Sequence, residues 1–130
     1  MPADRPTIVV LAALVERDGH LLVSRRLKGT HLEGLWEFPG GKCEVDESHE
    51  ACLQRELLEE LGAAATVGEE IFVTEHSYPE RTVRLHFRWC TLAAEPRPML
   101  GQEIRWIERG QLTTLAFPPA DKELIEKLAR

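Results

Sequence analysis

The stretch from Ser48 to Gly62 most constrains how this chain can fold, because its apolar residues repeat with the period of an α-helix. Ser48 suits the N-cap of a helix, and Gly62 suits the position just after a helix C-terminus. The leucines that recur on one side are Leu53, Leu57, Leu58 and Leu61. The pattern therefore predicts an amphipathic helix whose leucine side packs against a core.

Three carboxylates, those of Glu56, Glu59 and Glu60, fall within an arc of about 100° beside these leucines. Like charges at this spacing destabilise a helix by roughly 0.2–0.5 kcal/mol per pair. A divalent cation would remove the repulsion, and oxygen-only ligands suit Mg²⁺ or Mn²⁺ better than zinc. The alternative is a solvated acidic face. The preceding segment Pro39-Gly40-Gly41 favours a metal, since glycine backbone can approach a ligand closely.

A longer pattern surrounds these glutamates: Gly41-x5-Glu47-x7-Arg55-Glu56-Leu57-x-Glu59-Glu60-x-Gly62-Ala63. It resembles the Nudix box at every fixed position, although Ala63 is smaller than the usual closing residue. The resemblance implies an α/β fold, the Nudix α/β/α sandwich with helices on both sides of a mixed β-sheet. It also implies one domain over residues 1–130 and hydrolysis of a nucleoside diphosphate linked to another group, usually with Mg²⁺.

The same resemblance assigns roles within the box. The metal ligands of the family become Glu56, Glu59 and Glu60, together with a backbone carbonyl of Gly40 or Gly41. Glu56 is our prediction for the general base, because it is best placed to reach a water beside the metal. Glu47 and Arg55 resemble the ion pair that orients the loop against the helix.

The segment from Trp36 to Gly41 is similar to the lead-in of the MutT-type branch, which converts nucleoside triphosphates to monophosphates and pyrophosphate by attack at the β-phosphorus. That similarity implies a set of substrate-binding positions, which are Arg26, His31, Glu37, Phe38, Arg81 and Asp121. An arginine at a strand end or a histidine in a loop is also commonly just solvated.

Asp121 bears on which nucleobase the protein recognises. In the MutT-type branch an asparagine follows Phe-Pro-Pro-Ala and binds oxidised guanine, whereas an ionised aspartate can only accept hydrogen bonds. It could accept the N7 hydrogen of 8-oxoguanine or the exocyclic amine of cytosine. A plain helix cap explains Asp121 equally well. The predicted substrate is 8-oxo-dGTP, with CTP, dCTP or 5-methyl-dCTP as the alternative, and a non-catalytic nucleotide or damaged-base binding module as an alternative of another class.

One position departs from the family. Relatives often carry a further metal-reaching glutamate six residues before the tryptophan equivalent to Trp106, where this chain has Leu100. Glu103 is the nearest acidic residue and is a possible substitute.

The strands follow from simpler patterns. Thr7 to Glu16 is apolar enough for a strand buried on both faces, and Asp18-Gly19 predicts a hairpin into Leu21 to Arg26. Apolar and polar residues alternate from Val83 to Trp89, which predicts a strand with its basic side in water, where it could receive phosphate. Ile104 to Ile107 predicts a last strand.

Composition limits the binding partners and the cellular location that we expect. The net charge of -6 argues against nonspecific binding to nucleic acid. The cysteines, Cys43, Cys52 and Cys90, are odd in number and form no Cys-x-x-Cys pair, which favours free thiols over a disulfide. There is no signal peptide pattern in Met1 to Arg5 and no apolar run of about 18 residues, so we expect a cytoplasmic protein without membrane contact. The sequence leaves monomer and homodimer open.

Overall fold

The computed structural model describes residues 6–130; residues 1–5, where the sequence shows no signal peptide pattern, lie outside the described range. The elements in chain order are β1 Thr7–Arg17, β2 His20–Arg25, β3 Trp36–Glu37, β4 Gly40–Lys42, α1 His49–Leu61, β5 Ala65–Ser77, β6 Thr82–Leu92, β7 Ile104–Glu108 and α2 Lys122–Leu128. Short 3-10 helices cover Arg109–Thr114 and Pro119–Asp121.

The seven described strands form one mixed sheet in the order β3-β2-β1-β6-β5, with β4 added to β1 and β7 added to β2. β1 and β6 run parallel, whereas the other pairs are antiparallel. β1 and β2 pair only beside their hairpin, at Glu16 with Leu21 and Arg17 with His20. Beyond the hairpin, β1 pairs with β4 and β2 pairs with β7, so the sheet splits into two parts, one around β1 and one around β2. The predicted fold class, a mixed sheet flanked by helices, is confirmed.

β1 is buried on both faces from Leu11 to Val15, as predicted. Leu11, Ala13 and Val15 belong to the core cluster that includes the leucines of α1. Ala12 and Leu14 belong to the cluster on the α2 side. The hairpin that follows has positive φ at both Asp18 and Gly19, which matches the right-handed twist of the strands.

α1 begins and ends where its sequence predicts. The Ser48 hydroxyl accepts a hydrogen bond from the Ala51 backbone N–H at 3.0 Å. Gly62 adopts the left-handed conformation, and its N–H donates to the Leu58 carbonyl. Leu53, Leu57 and Leu61 are fully buried, whereas Leu58 is 56% exposed, so the buried side is narrower than the leucine pattern suggested. Each fully buried leucine contributes about 2 kcal/mol to folding.

The polar side of β6 was expected in water, and this is wrong for its centre. Leu85, Phe87 and Trp89 face the core, as their alternation predicts, and pack in the cluster on the α2 side. On the opposite side His86 is only 9% exposed, because its ring lies against that of His49, the first residue of α1. β6 is an interior strand between β1 and β5. His49 of α1 therefore lies against one face at His86, and Phe87 packs in the α2-side cluster on the other.

The expectation of three free thiols is also wrong. Cys43, just after β4, and Cys52, in α1, form a disulfide with their Cα atoms 5.2 Å apart. Strand β4 runs under the helix and brings together two cysteines that lie nine positions apart. Cys90 is free and buried, and this burial raises the pKa of its thiol to about 11. Neither helix of the described residues has the length and apolar character needed to cross a membrane.

Candidate active site

Two glycines let the backbone of β4 lie directly under the carboxylates of α1. A Cβ added at Gly41 would overlap the carboxyl group of Glu56. A Cβ added at Gly40, whose φ is 155°, would overlap the backbone carbonyl of Leu11. Gly40 therefore requires glycine, because the overlap is with backbone, whereas a side chain at Gly41 would displace the Glu56 carboxyl group.

Glu56 and Glu60 converge on this glycine backbone. Burial is the main reason that the pKa of Glu60 lies far above its usual value, followed by its hydrogen bond with Glu56 and the charges of Glu37 and Glu56. A hydrogen bond with the Gly40 backbone acts in the opposite direction. Three carboxyl groups thus meet in a confined space. A cation would offset their repulsion, and this all-oxygen set fits a hard divalent ion such as Mg²⁺.

The third predicted ligand, Glu59, lies differently from the other two. Its side chain is 59% exposed and stands 3.7 Å from the Arg55 guanidinium, whereas the Glu56 side chain is 15% exposed. Glu59 therefore lies at the open edge of the acidic group, where it can reach an ion from solvent.

Arg55 connects the loop, the strand and the helix. Its Nε and Nη2 donate to the two carboxylate oxygens of Glu47, at 2.8 and 2.9 Å. Its Nη1 donates to Glu56 Oε1 at 2.9 Å, and Nη2 also reaches the Lys42 carbonyl at 3.2 Å. Hydrogen bonds from Arg55, together with one from the Glu44 N–H, lower the pKa of Glu47 to about 2. The loop carrying Glu47 is thereby fixed against the acidic face of α1.

Arg26 and Glu37 join the acidic group on the other side. Arg26 Nη1 lies 3.3 Å from Glu37 Oε1, and its Nε donates to the backbone carbonyl of His31 at 2.9 Å. A cavity of about 170 Å³ is lined by these two side chains and by Gly40, Glu60 and Leu100, among others. One cavity therefore connects a predicted substrate-binding arginine with two of the predicted metal ligands, Gly40 and Glu60.

His31 and Arg81 are brought together elsewhere. Both line a larger cavity, of about 580 Å³, beside the starts of β1 and β6. Arg81 closes the turn between β5 and β6, in which the Tyr78 N–H donates to the Arg81 carbonyl. Neither residue lines the cavity that contains Glu60.

Phe38, the remaining predicted contact besides Asp121, lies in the core on the α2 side. It is 4% exposed and its ring centroid lies 5.3 Å from Phe117 and 6.1 Å from Phe87. This aromatic packing accounts for Phe38 without a ligand, since rings at this spacing attract one another.

Asp121 is not the simple helix cap that the sequence allowed. Its side chain makes no capping hydrogen bond, and its backbone is already helical, at φ -92° and ψ -6°. The residue is 5% exposed. Burial, and then the negative charge of Glu37, raise the pKa of its carboxyl group to about 7. Asp121 is therefore a buried titratable group whose pKa depends on the charge of Glu37, a member of the acidic centre.

The possible substitute for the missing glutamate is engaged elsewhere. Glu103 lies 3.5 Å from Arg25 and 3.1 Å from Arg105, and it does not line the cavity beside Glu60. Gln102, which the sequence did not single out, is 7% exposed and donates from Nε2 to the Glu60 backbone carbonyl at 2.9 Å. A lone glutamine in a loop carries no pattern that could have revealed this contact.

Comparisons with known proteins agree with this geometry. A family model described as NUDIX domain matches residues 10–127. The chain is 39% identical over 125 residues to a CTP pyrophosphohydrolase of Escherichia coli, covering 92% of this chain and 89% of that protein. It is 34% identical over 130 residues to an 8-oxo-dGTP diphosphatase of Haemophilus influenzae, covering 96% and 93%.

Solved structures give the same result. The solution structure of the E. coli ORF135 protein matches at a TM-score of 0.85 with 36% identity, covering 95% of this chain and 89% of that one. A MutT protein from Methanosarcina mazei matches in fold at a TM-score of 0.84 with 23% identity, covering 96% and 94%. The predicted family is thus confirmed, and this chain belongs to the Nudix hydrolase family.

Proposed function

We propose that this Nudix hydrolase is a Mg²⁺-dependent pyrophosphohydrolase that converts a nucleoside triphosphate to the monophosphate and pyrophosphate. The convergence of Glu37, Glu56 and Glu60 on the Gly40–Gly41 backbone is the observation that carries this proposal. We further propose that residues 1–130 act as one domain, in the cytoplasm, as a monomer or homodimer.

Four groups would hold the ion, with Mn²⁺ as a substitute: the Gly40 carbonyl and the carboxylates of Glu56, Glu59 and Glu60. When bound, Mg²⁺ neutralises phosphate charge and lowers the pKa of a bound water. The chain contributes the positions of these oxygens. Gly41 allows the Glu56 carboxyl group to lie against β4, and Arg55 fixes its Oε1.

Glu56 is the general base in this proposal. Its carboxylate accepts a proton from the attacking water, and the 2.9 Å hydrogen bond from Arg55 Nη1 holds that carboxylate in place. Arg55 and Glu47 are positioning residues, because they act through Glu56 and the loop. Arg26 has a guanidinium group in the same cavity as Glu60, where it can donate to phosphate oxygens.

We propose 8-oxo-dGTP as the preferred substrate, because burial makes Asp121 partly protonated near neutral pH. A protonated carboxyl group both donates and accepts, as an amide does, and can therefore pair with the N7 hydrogen and the O6 acceptor of 8-oxoguanine. The second candidate is CTP, dCTP or 5-methyl-dCTP. It is favoured by the same residue when ionised, since a carboxylate accepts from the cytosine amine.

Pyrophosphate release tests the proposal. Purified protein is assayed with 8-oxo-dGTP, dGTP, CTP, dCTP and 5-methyl-dCTP, with Mg²⁺ and with excess EDTA. We expect release that requires Mg²⁺ and a kcat/KM highest for 8-oxo-dGTP. A higher kcat/KM for a cytosine nucleotide would move the assignment to the second candidate. Nucleotide binding without any pyrophosphate would identify a non-catalytic module and refute the enzyme.

A further inference from the structure

Two histidines and a glutamate meet outside the acidic centre. His49 begins α1, Glu70 lies on β5, and His86 lies on β6, and one ligand atom from each falls within 4.8 Å of the other two. The imidazole centroids of His49 and His86 are 4.5 Å apart. His86 Nδ1 lies 2.6 Å from Glu70 Oε1. Three elements that are distant in sequence thus bring together three potential metal ligands.

The chemistry of these groups differs from that of the acidic centre. Imidazole nitrogen and carboxylate oxygen together are a frequent donor set for zinc in proteins, whereas Mg²⁺ prefers oxygen alone. The pKa of His49 is lowered, mainly by burial and then by the neighbouring His86 ring. This direction favours the neutral imidazole, which has a lone pair available for a metal ion.

The spacing is close to what a zinc ion requires. Zn–N bonds of about 2.0–2.1 Å place tetrahedral donor atoms about 3.4 Å apart. His86 is held by packing and is 9% exposed, whereas the Glu70 side chain is 38% exposed and can adjust. The 2.6 Å contact between His86 Nδ1 and Glu70 Oε1 is a hydrogen bond and is shorter than this spacing. To bind zinc, Glu70 would move away from His86 by about 1 Å and the shared proton would be released, which leaves a fourth position for water.

One neighbouring group opposes a cation. Arg88 lies opposite Glu70 in the β5–β6 ladder, and its charge contributes to the lowered pKa of His49. Its Nε donates to the Gly68 carbonyl at 2.8 Å. Removing this charge while keeping a hydrogen-bond donor should therefore strengthen binding of a cation.

We propose that His49, Glu70 and His86 form a second metal site, for Zn²⁺ or a similar borderline divalent ion, distinct from the Mg²⁺ carboxylates. Such an ion would tie the first turn of α1 to strands β5 and β6. Because Glu47 lies two residues before His49, the ion would also anchor the end of the loop that Arg55 holds.

Zn²⁺ titration in excess Mg²⁺ tests this site without any nucleotide. Calorimetry on the full chain should detect one Zn²⁺ equivalent, and Zn²⁺ should raise Tm. His49→Ala and Glu70→Gln should weaken binding about tenfold or more, since even residues that only support ligands have effects of that size. Arg88→Gln should bind Zn²⁺ more tightly. His76→Ala removes an exposed histidine of β5, the strand of Glu70, and should leave Zn²⁺ binding unchanged. Glu56→Gln should also leave it unchanged.

Co²⁺ absorption identifies the ligands directly. Bands of a tetrahedral Co²⁺ site without a thiolate charge-transfer band are expected for the wild type, and their loss is expected in His49→Ala. Equal Zn²⁺ affinity in His49→Ala and the wild type would refute the site. A thiolate band would assign the ion to Cys43 and Cys52 with their disulfide reduced, and loss of binding in Glu56→Gln would assign it to the acidic centre; either result would overturn the proposal.

Discussion

Arg55 donates to both carboxylate oxygens of Glu47, at 2.8 Å from Nε and 2.9 Å from Nη2. The pair joins the helix that carries the acidic centre to the loop that precedes it. Because the third guanidinium nitrogen reaches Glu56, a change in this pair also changes the position of the proposed base.

Arg55→Lys tests this positioning role. A lysine keeps the charge but cannot contact both oxygens of Glu47 and also Glu56. We expect kcat to fall about tenfold or more while KM changes little, measured by pyrophosphate release with saturating Mg²⁺. Glu47→Gln should have a similar effect, and the double variant should lose less than the sum of the two losses. Fully additive losses would show that the residues act separately.

Glu56→Gln and Glu60→Gln test the metal and base assignments. Each substitution keeps the shape of the side chain but removes a negative oxygen, so kcat should fall at least about a hundredfold. Circular dichroism should show an unchanged fold. Glu50→Gln is the matched control, because Glu50 is exposed in the first turn of the same helix and should retain full activity. Near-normal turnover in either test variant would remove that residue from the mechanism.

Gly41→Ala tests the close approach of strand and helix. The added Cβ would overlap the Glu56 carboxyl group, so the carboxylate must shift from its present position against β4. We expect a loss of kcat approaching that of Glu56→Gln. At Gly110 an added Cβ meets open space and φ is not positive, so Gly110→Ala should be active. Equal activities of the two variants would show that the close contact between Gly41 and Glu56 is not needed for catalysis.

Ionisation of Asp121 should make the stability of the protein depend on pH. Its pKa rises from 3.8 to about 7 on folding, so the native state holds a proton there that the unfolded chain has released. Its contribution to stability is therefore greatest below pH 4 and is lost as pH rises to 7. Relative to Asp121→Asn, the wild-type Tm should fall across this interval. A parallel pH course of the two proteins would show that Asp121 does not titrate there.

The same ionisation should alter substrate use. As pH rises through 7, wild-type kcat/KM for 8-oxo-dGTP should fall relative to that for CTP, because the ionised carboxyl group no longer donates. Asp121→Asn should keep a constant ratio of the two values. A constant ratio in the wild type would separate Asp121 from base recognition.

Local patterns in the sequence determined the elements that depend on local contacts. The caps of α1 at Ser48 and Gly62 and the Asp18-Gly19 hairpin are set by backbone conformation and short-range hydrogen bonds. Strand β7 also lies where its apolar residues predict it. The Nudix box identified the family because its fixed positions lie in one continuous stretch of chain, from strand β4 through the loop to the end of α1.

Only the tertiary structure decided which distant side chains meet. In the folded chain Cys43 and Cys52 form a disulfide, and Glu103 pairs with Arg25 rather than with the acidic centre. Gln102 donates a hydrogen bond to the Glu60 backbone. The tertiary structure also buried Asp121 beside the charge of Glu37 and closed His49, Glu70 and His86 into one group. These contacts depend on how helices and strands cross, which follows from packing of the whole core and leaves no periodic trace in the chain.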